Sequence, residues 1–130
     1  QFIMDTRLMM VKVKEAIKGI NPLVTESTSI TEAIVKMTEF GYGAITVTKA
    51  DGSIKGVFTD GSLRKLIMDE GRDVLSKKLS DLQYREPITI EGNVLLNEAN
   101  VLFKKTNVDT IVVTDNGKPV GMLDIQDLKS

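Results

Sequence analysis

The stretch Ala44-Ile45-Thr46-Val47-Thr48, with Asp51-Gly52 and Gly56-Val57-Phe58-Thr59 behind it, returns about 65 residues later as Thr110-Ile111-Val112-Val113-Thr114, Asn116-Gly117 and Gly121-Met122-Leu123-Asp124. A proline-led extended segment precedes each copy, Pro22-Leu23-Val24-Thr25 and then Pro87-Ile88-Thr89-Ile90. Between that segment and the first strand lies a helix-like stretch carrying Glu32-Ala33 or Glu98-Ala99. Two copies are too few to stack as a solenoid. They predict an α/β (α+β) fold in which two small units close on each other about a pseudo-two-fold axis. Such a seam offers two related clefts, which suit ligand binding better than chemistry.

Each copy reads as short strand, helix, strand, strand, helix. Ser29-Ile30-Thr31-Glu32 has capping-box spacing, and Ile30, Ala33, Ile34, Met37 and Phe40 share one helical face that ends at Gly41. Ala44 to Thr48 alternates and is rich in β-branched residues, so it reads as a strand, and Asp51-Gly52 turns it into a hairpin with Ile54 to Thr59. Asp60-Gly61-Ser62 opens a helix with Leu63, Leu66 and Ile67 facing inward. Glu70 to Ser80 is charged and weakly patterned and reads as a helix end and linker. In the second copy Asn93 is the expected N-cap, with Leu95, Ala99, Leu102 and Phe103 on the buried face and Asn107 as a left-handed cap. Asn116-Gly117 is the second hairpin turn, and Ile125 to Leu128 begins a last helix. Upstream, Asp5 to Lys18 reads as a helix stopping at Gly19.

The chain has 130 residues, one ordinary domain, so a sizeable core requires the halves to share it. A net charge of -1 gives no electrostatic reason to expect nucleic acid or an acidic membrane as partner, and no apolar run reaches spanning length. The absence of cysteine and histidine removes thiol nucleophiles, zinc–thiolate sites, the commonest general base and the commonest transition-metal ligand. It also fits a reducing cytoplasm. A self-contained enzyme is therefore disfavoured, and no catalytic residue is assigned. The chain starts at Gln1 without a signal peptide and reads as a piece of a longer protein.

In both copies polar residues fall where the second hairpin strand becomes helix: Gly56-Val57-Phe58-Thr59-Asp60-Gly61-Ser62 and Gly121-Met122-Leu123-Asp124-Ile125-Gln126-Asp127. The glycine lets a ligand or another segment approach the backbone closely, and a helix start offers unpaired N–H groups to an anion. This order and this segment resemble a tandem pair of cystathionine-β-synthase (CBS) domains, a Bateman module, from about Val11 to Leu128. Gly56 to Lys65 and the approach Arg7 to Val13 are further similar to bacterial arabinose-5-phosphate isomerases, which carry a CBS pair behind their catalytic domain.

The resemblance implies residues 1–19 as helix and linker from a missing catalytic domain, 20–78 as the first CBS unit and 79–130 as the second. It implies a regulatory module for an aldose–ketose isomerase acting toward the lipopolysaccharide sugar Kdo. Its ligand would be an adenosine nucleotide or CMP-Kdo, with no required cofactor and no metal. Adenosine-binding CBS pairs use Thr or Ser and, three residues on, Asp. Thr59 matches the first position, with Ser62 in place of the aspartate; Asp127 matches the second, with Asp124 in place of the hydroxyl. The implied contacts are Thr25, Gly43, Ala44, Thr59, Asp60, Ser62, Arg64, Thr110, Asp124 and Asp127.

Plainer readings stand beside these. Thr59 and Asp60 are good caps for a helix starting at Gly61. Arg64 and Lys65 suit a solvated face or an anion site. Gly41-Tyr42-Gly43 is a C-cap or a ligand loop, and Tyr42 stacks on a base or covers the core. Met4, Met9, Met10 and Met68 read as packing residues or contacts to the missing domain. The partners expected are a second copy, as a dimer of CBS pairs, and the upstream isomerase domain. The alternative function is a ligand-free oligomerisation module of the same or another enzyme, with the helix faces Ile30 to Phe40 and Leu95 to Phe103 making dimer contacts.

Overall fold

The computed structural model describes residues 6–129 and divides into two compact units, one formed by residues 22–87 and the other by residues 1–21 together with 88–130. Met4 and Asp5 lie outside the described residues. The first unit contains β1 (Leu23–Thr25), α3 (Ile30–Phe40), β2 (Ala44–Thr48), β3 (Ile54–Thr59) and α4 (Asp60–Glu70). In the second, α1 (Thr6–Met10) and α2 (Val13–Ala16) precede β4 (Thr89–Glu91), α5 (Leu96–Thr106), β5 (Thr110–Asp115), β6 (Lys118–Asp124) and a 3-10 turn at Ile125–Leu128. The sheets are twins in order β1-β2-β3 and β4-β5-β6, the first pair parallel and the second antiparallel.

Local signals set most of these elements. Ser29 accepts a hydrogen bond from the Glu32 N–H at 3.0 Å, and α3 ends at Gly41 in the left-handed region at φ 73°. Asn107 closes α5 the same way at φ 58°. Asn116 and Gly117 both have positive φ, as a two-residue hairpin turn of the primed type requires. The Glu91 carboxylate braces that turn by accepting from the Thr114 hydroxyl and the Asn116 N–H. These bonds, the Thr114 one foremost, lower its pKa.

Each unit has its own core. Ile30, Ala33, Met37, Ile45, Val47 and Phe58 cluster in one, and Leu96, Ala99, Phe103, Ile111, Val113 and Leu123 in the other. Of the helix faces expected to make dimer contacts, Ile30, Ala33, Met37, Leu96, Ala99 and Phe103 are buried within their own units. Alternation along β2 does not translate into alternating exposure, because all five of its residues are buried in this central strand. Thr46 is fully buried, with no hydrogen-bond partner for its hydroxyl. Its twin is Val112, since both lie opposite the first residue of the parallel edge strand. Thr46→Val should therefore stabilise the fold by about 1 kcal/mol, the cost of an unmet buried hydroxyl. A lower denaturant midpoint for this variant would show that the hydroxyl is paired.

The segments between and before the copies depart most from expectation. Residues 70–80 do not form a free linker. Val74 and Leu79 are buried in the first core, and the backbone of Lys77 to Ser80 pairs with the start of α3: Ile30 N–H to Lys77 O at 2.9 Å, Leu79 N–H to Thr28 O and Ser80 N–H to Glu26 O, both at 2.8 Å. The compact unit that holds the first sheet runs to Pro87. Residues 6–17 do the same for the second unit. Leu96 N–H meets Val11 O, Val13 N–H meets Val94 O and Lys14 N–H meets Gly92 O, all at 2.8 Å, and Val13 is fully buried. This stretch is not one helix to Gly19 but two short ones broken at Val11-Lys12. It also replaces Asn93 as cap. The N-cap of α5 is Leu95, which has no side-chain bond, because the Val11 carbonyl satisfies the exposed end of the helix.

The glycines at the repeated position are filled by the same two segments. A Cβ on Gly56 would lie 2.6 Å from Tyr84, and one on Gly121 would lie 2.8 Å from the Ile17 Cδ1. A neighbouring segment, not a ligand, makes these close approaches. Tyr84 donates to the Leu79 carbonyl at 2.8 Å, and burial, with a smaller contribution from Glu26, pushes its pKa up from 10.0 to about 12. A folded pKa above the unfolded one stabilises fully below about pH 10 and is lost as pH rises toward about 12. Denaturation between those values should show stability falling with pH, and Tyr84→Phe should flatten that slope; an equal slope in the variant would mean that Tyr84 is not the group responsible.

Three smaller expectations also change. Ile67 is exposed rather than inward, while Leu63 and Leu66 do pack on the first core. Met9, Met10 and Met68 are exposed, and none of them lies in either core. The last helix is a four-residue 3-10 turn.

Candidate functional site

The antiparallel pairing places Ala44 opposite Thr59, and the Asp60 N–H donates to the Gly43 carbonyl at 2.9 Å. Gly43, Ala44, Thr59, Asp60 and Ser62 therefore meet at one corner of the first sheet, where β3 runs straight into α4. The second unit repeats the corner: Thr110 lies opposite Asp124, and the Ile125 N–H donates to the Asp109 carbonyl at 2.9 Å. Asp127 completes it. Thr25 does not belong. It pairs with Thr48 at the far end of β2, about 13 Å along the strand from Ala44, and its hydroxyl meets Ser27 at 3.0 Å.

The polar groups of both corners are engaged as caps. Thr59 is the N-cap of a helix that begins at Asp60, one residue earlier than expected. Its oxygen accepts from the Ser62 N–H at 3.0 Å and shares a bond with the Ser62 hydroxyl at 2.9 Å. Asp124 accepts from the Gln126 N–H at 2.8 Å, and Asp127 reaches back to the Asp124 N–H at 2.8 Å. The caps of the two corners thus differ in charge: two hydroxyls hold the first, with the Asp60 carboxylate beside them, and two carboxylates hold the second. Arg64 is exposed one helical turn beyond Asp60, on the same side of α4.

Beside the first corner the end of α3 and Asp60 frame an open depression of about 350 Å³, lined by Ile34, Met37, Thr38, Tyr42, Gly43 and Asp60. Gly41 acts as the helix cap and Tyr42 is half-buried on this wall. A Cβ on Gly43 would come within 3.0 Å of the Asp60 carboxylate, so the glycine keeps this edge open. Ile34 and Met37 were legible only as a helix face, where nothing in their spacing separates a lining residue from a core one, and Thr38 carried no signal. Among the described residues no group of three or more acidic, histidine or cysteine side chains is placed to hold a metal ion, and no helix is long and apolar enough to cross a membrane.

Comparison with known proteins agrees with this geometry. The CBS domain family model matches residues 4–69 and 79–130. Arabinose 5-phosphate isomerase KdsD of Pseudomonas aeruginosa is 33% identical over 108 residues, covering 82% of this chain and 33% of its own length. An uncharacterized conserved protein of Pyrococcus horikoshii superposes with a TM-score of 0.80 at 27% identity, over 97% of this chain and 92% of that one. A CBS domain protein of Pyrobaculum aerophilum complexed with AMP superposes with a TM-score of 0.81 at 21% identity, over 91% and 90%. The chain spans about a third of the length of the isomerases it matches. Twin sheets with twin strand-to-helix corners, matched by the family along both copies, make this chain a member of the CBS domain family, a tandem CBS pair related to the arabinose 5-phosphate isomerases.

Proposed function

We propose that this CBS pair is the ligand-sensing module of a cytoplasmic isomerase that interconverts ribulose 5-phosphate and arabinose 5-phosphate on the way to Kdo, its catalytic domain lying upstream. The observation that carries the reading is the duplicated corner, Ala44–Thr59–Ser62 and Thr110–Asp124–Asp127, on a fold whose relative was solved with AMP. The ligand is an adenosine nucleotide or CMP-Kdo. Its anionic end goes to the first corner, where the Thr59 and Ser62 hydroxyls and the Arg64 guanidinium can meet a phosphate. The two carboxylates of the second corner repel one. Ligand binding favours one arrangement of the pair and so biases the attached domain.

Calorimetric titration with AMP, ATP and CMP-Kdo tests this. One of them should bind, and Arg64→Ala should weaken that ligand by about tenfold, the loss of one charge-assisted hydrogen bond. No heat with any of the three at high protein concentration would overturn the sensor reading. In that case the second reading gains: α4 has no fully buried residue and leaves Ile67 and Met68 exposed, Met68 at 79%, as an oligomer contact would require. Sedimentation velocity would then show a concentration-dependent dimer that Met68→Glu dissociates.

A further inference from the structure

We propose that the N-terminal arm, residues 6–17, is governed by the corner of the second copy rather than by that of the first copy that follows it in sequence. The inference rests on the sensor reading above. It starts from one long-range bond: Arg7 Nη1 donates to the Leu128 carbonyl at 3.1 Å across 121 positions of sequence. Leu128 ends the 3-10 turn whose beginning is tied by Asp124 and Asp127. That turn is four residues long, and the Lys129 N–H closes it on the Gln126 carbonyl at 3.1 Å. So short a turn cannot keep its last carbonyl in place if its first bonds are lost. A ligand group that draws either carboxylate from its backbone N–H thus shifts the Leu128 carbonyl from the Arg7 guanidinium.

The arm then carries that change along its own length. Behind Arg7 it is held to the same unit by the three backbone bonds at Val11, Val13 and Lys14, by buried Val13 and by Ile17 packed on Gly121. The equivalent segment on the first copy is the internal stretch Lys77 to Ser80, which leads to β4 rather than to the chain start. The chain threading therefore brings the second corner, and not the first, into contact with the arm.

Amide hydrogen exchange of the full chain, without ligand and resolved at Val13, Lys14 and Leu96 by NMR, tests this. Asp127→Asn and Arg7→Gln should each accelerate exchange of the Val13 and Lys14 amides by about tenfold, as expected for losing one charge-assisted bond from a local opening unit. Thr59→Ala should accelerate the first turn of α4 and leave the arm within about twofold. Unchanged arm amides in Arg7→Gln, or equal acceleration by Thr59→Ala, would overturn the proposal. Arg7 is only partly buried, so its variant stays informative if Asp127→Asn fails to fold. A chain that binds none of the three titrated ligands would still give this result, so the two failures are distinguishable.

Discussion

Gly56→Ala should lose about 3 kcal/mol, lowering the melting temperature of its unit by roughly 12–24 °C. In a strand interior the exchange would ordinarily help, because alanine loses less backbone freedom on folding. Here the sign reverses. The backbone of Gly56 is not left-handed, so the glycine is demanded by space alone. The added methyl would lie 2.6 Å from Cβ, Cγ and Cδ1 of Tyr84. The Tyr84 Cβ is fixed to its backbone and cannot swing away, and moving Cγ and Cδ1 with the ring also breaks its bond to the Leu79 carbonyl. Gly121→Ala is the internal control: its methyl meets Cδ1 of Ile17, the free tip of a flexible chain, and should cost clearly less. Both tyrosines lie in the unit of residues 22–87 and the chain has no tryptophan, so tyrosine fluorescence follows that unit alone. Equal stabilities of Gly56→Ala and wild type would mean that Tyr84 does not lie over the strand.

Leu79→Ala should cost 2–5 kcal/mol, about the range for deleting a buried leucine side chain. The same change on an exposed linker would stay within about 0.5 kcal/mol. Leu79 sits in a stretch of lysines, serines and aspartates, yet it is fully buried and packs with Ile30, Phe58 and Val74. Its N–H is held by Thr28, so the residue fixes the connector to the start of α3 as well as filling the core. Urea denaturation read by tyrosine fluorescence measures the loss. A cost below about 0.5 kcal/mol would return residues 70–80 to the linker that their composition suggests.

Most elements and several caps were legible because each is written within a few residues. Ser29 finds Glu32 three positions on, Gly41 and Asn107 end helices in a conformation few other residues accept, and Asn116-Gly117 fixes its own turn. The corners were legible too, since hairpin register alone brings Thr59 opposite Ala44 and Asp124 opposite Thr110. Thr25 was misplaced because sequence does not show that β1 pairs in parallel, which carries its end to the far side of the sheet.

The choice of long-range partner belonged to the tertiary structure. Val13 lies between two lysines and Leu79 between a lysine and a serine, and neither stands on a helix face that the pattern singles out, so burial identifies them as core. The Val11 carbonyl replaces the cap expected of Asn93, and Tyr84 and Ile17 take the space above the repeated glycines. A backbone carbonyl is the same at every position, so nothing in the sequence says which helix end it will satisfy. That is decided when the chain threads each connecting segment onto one unit, because a buried helix start must find its hydrogen-bond partners wherever the fold brings them.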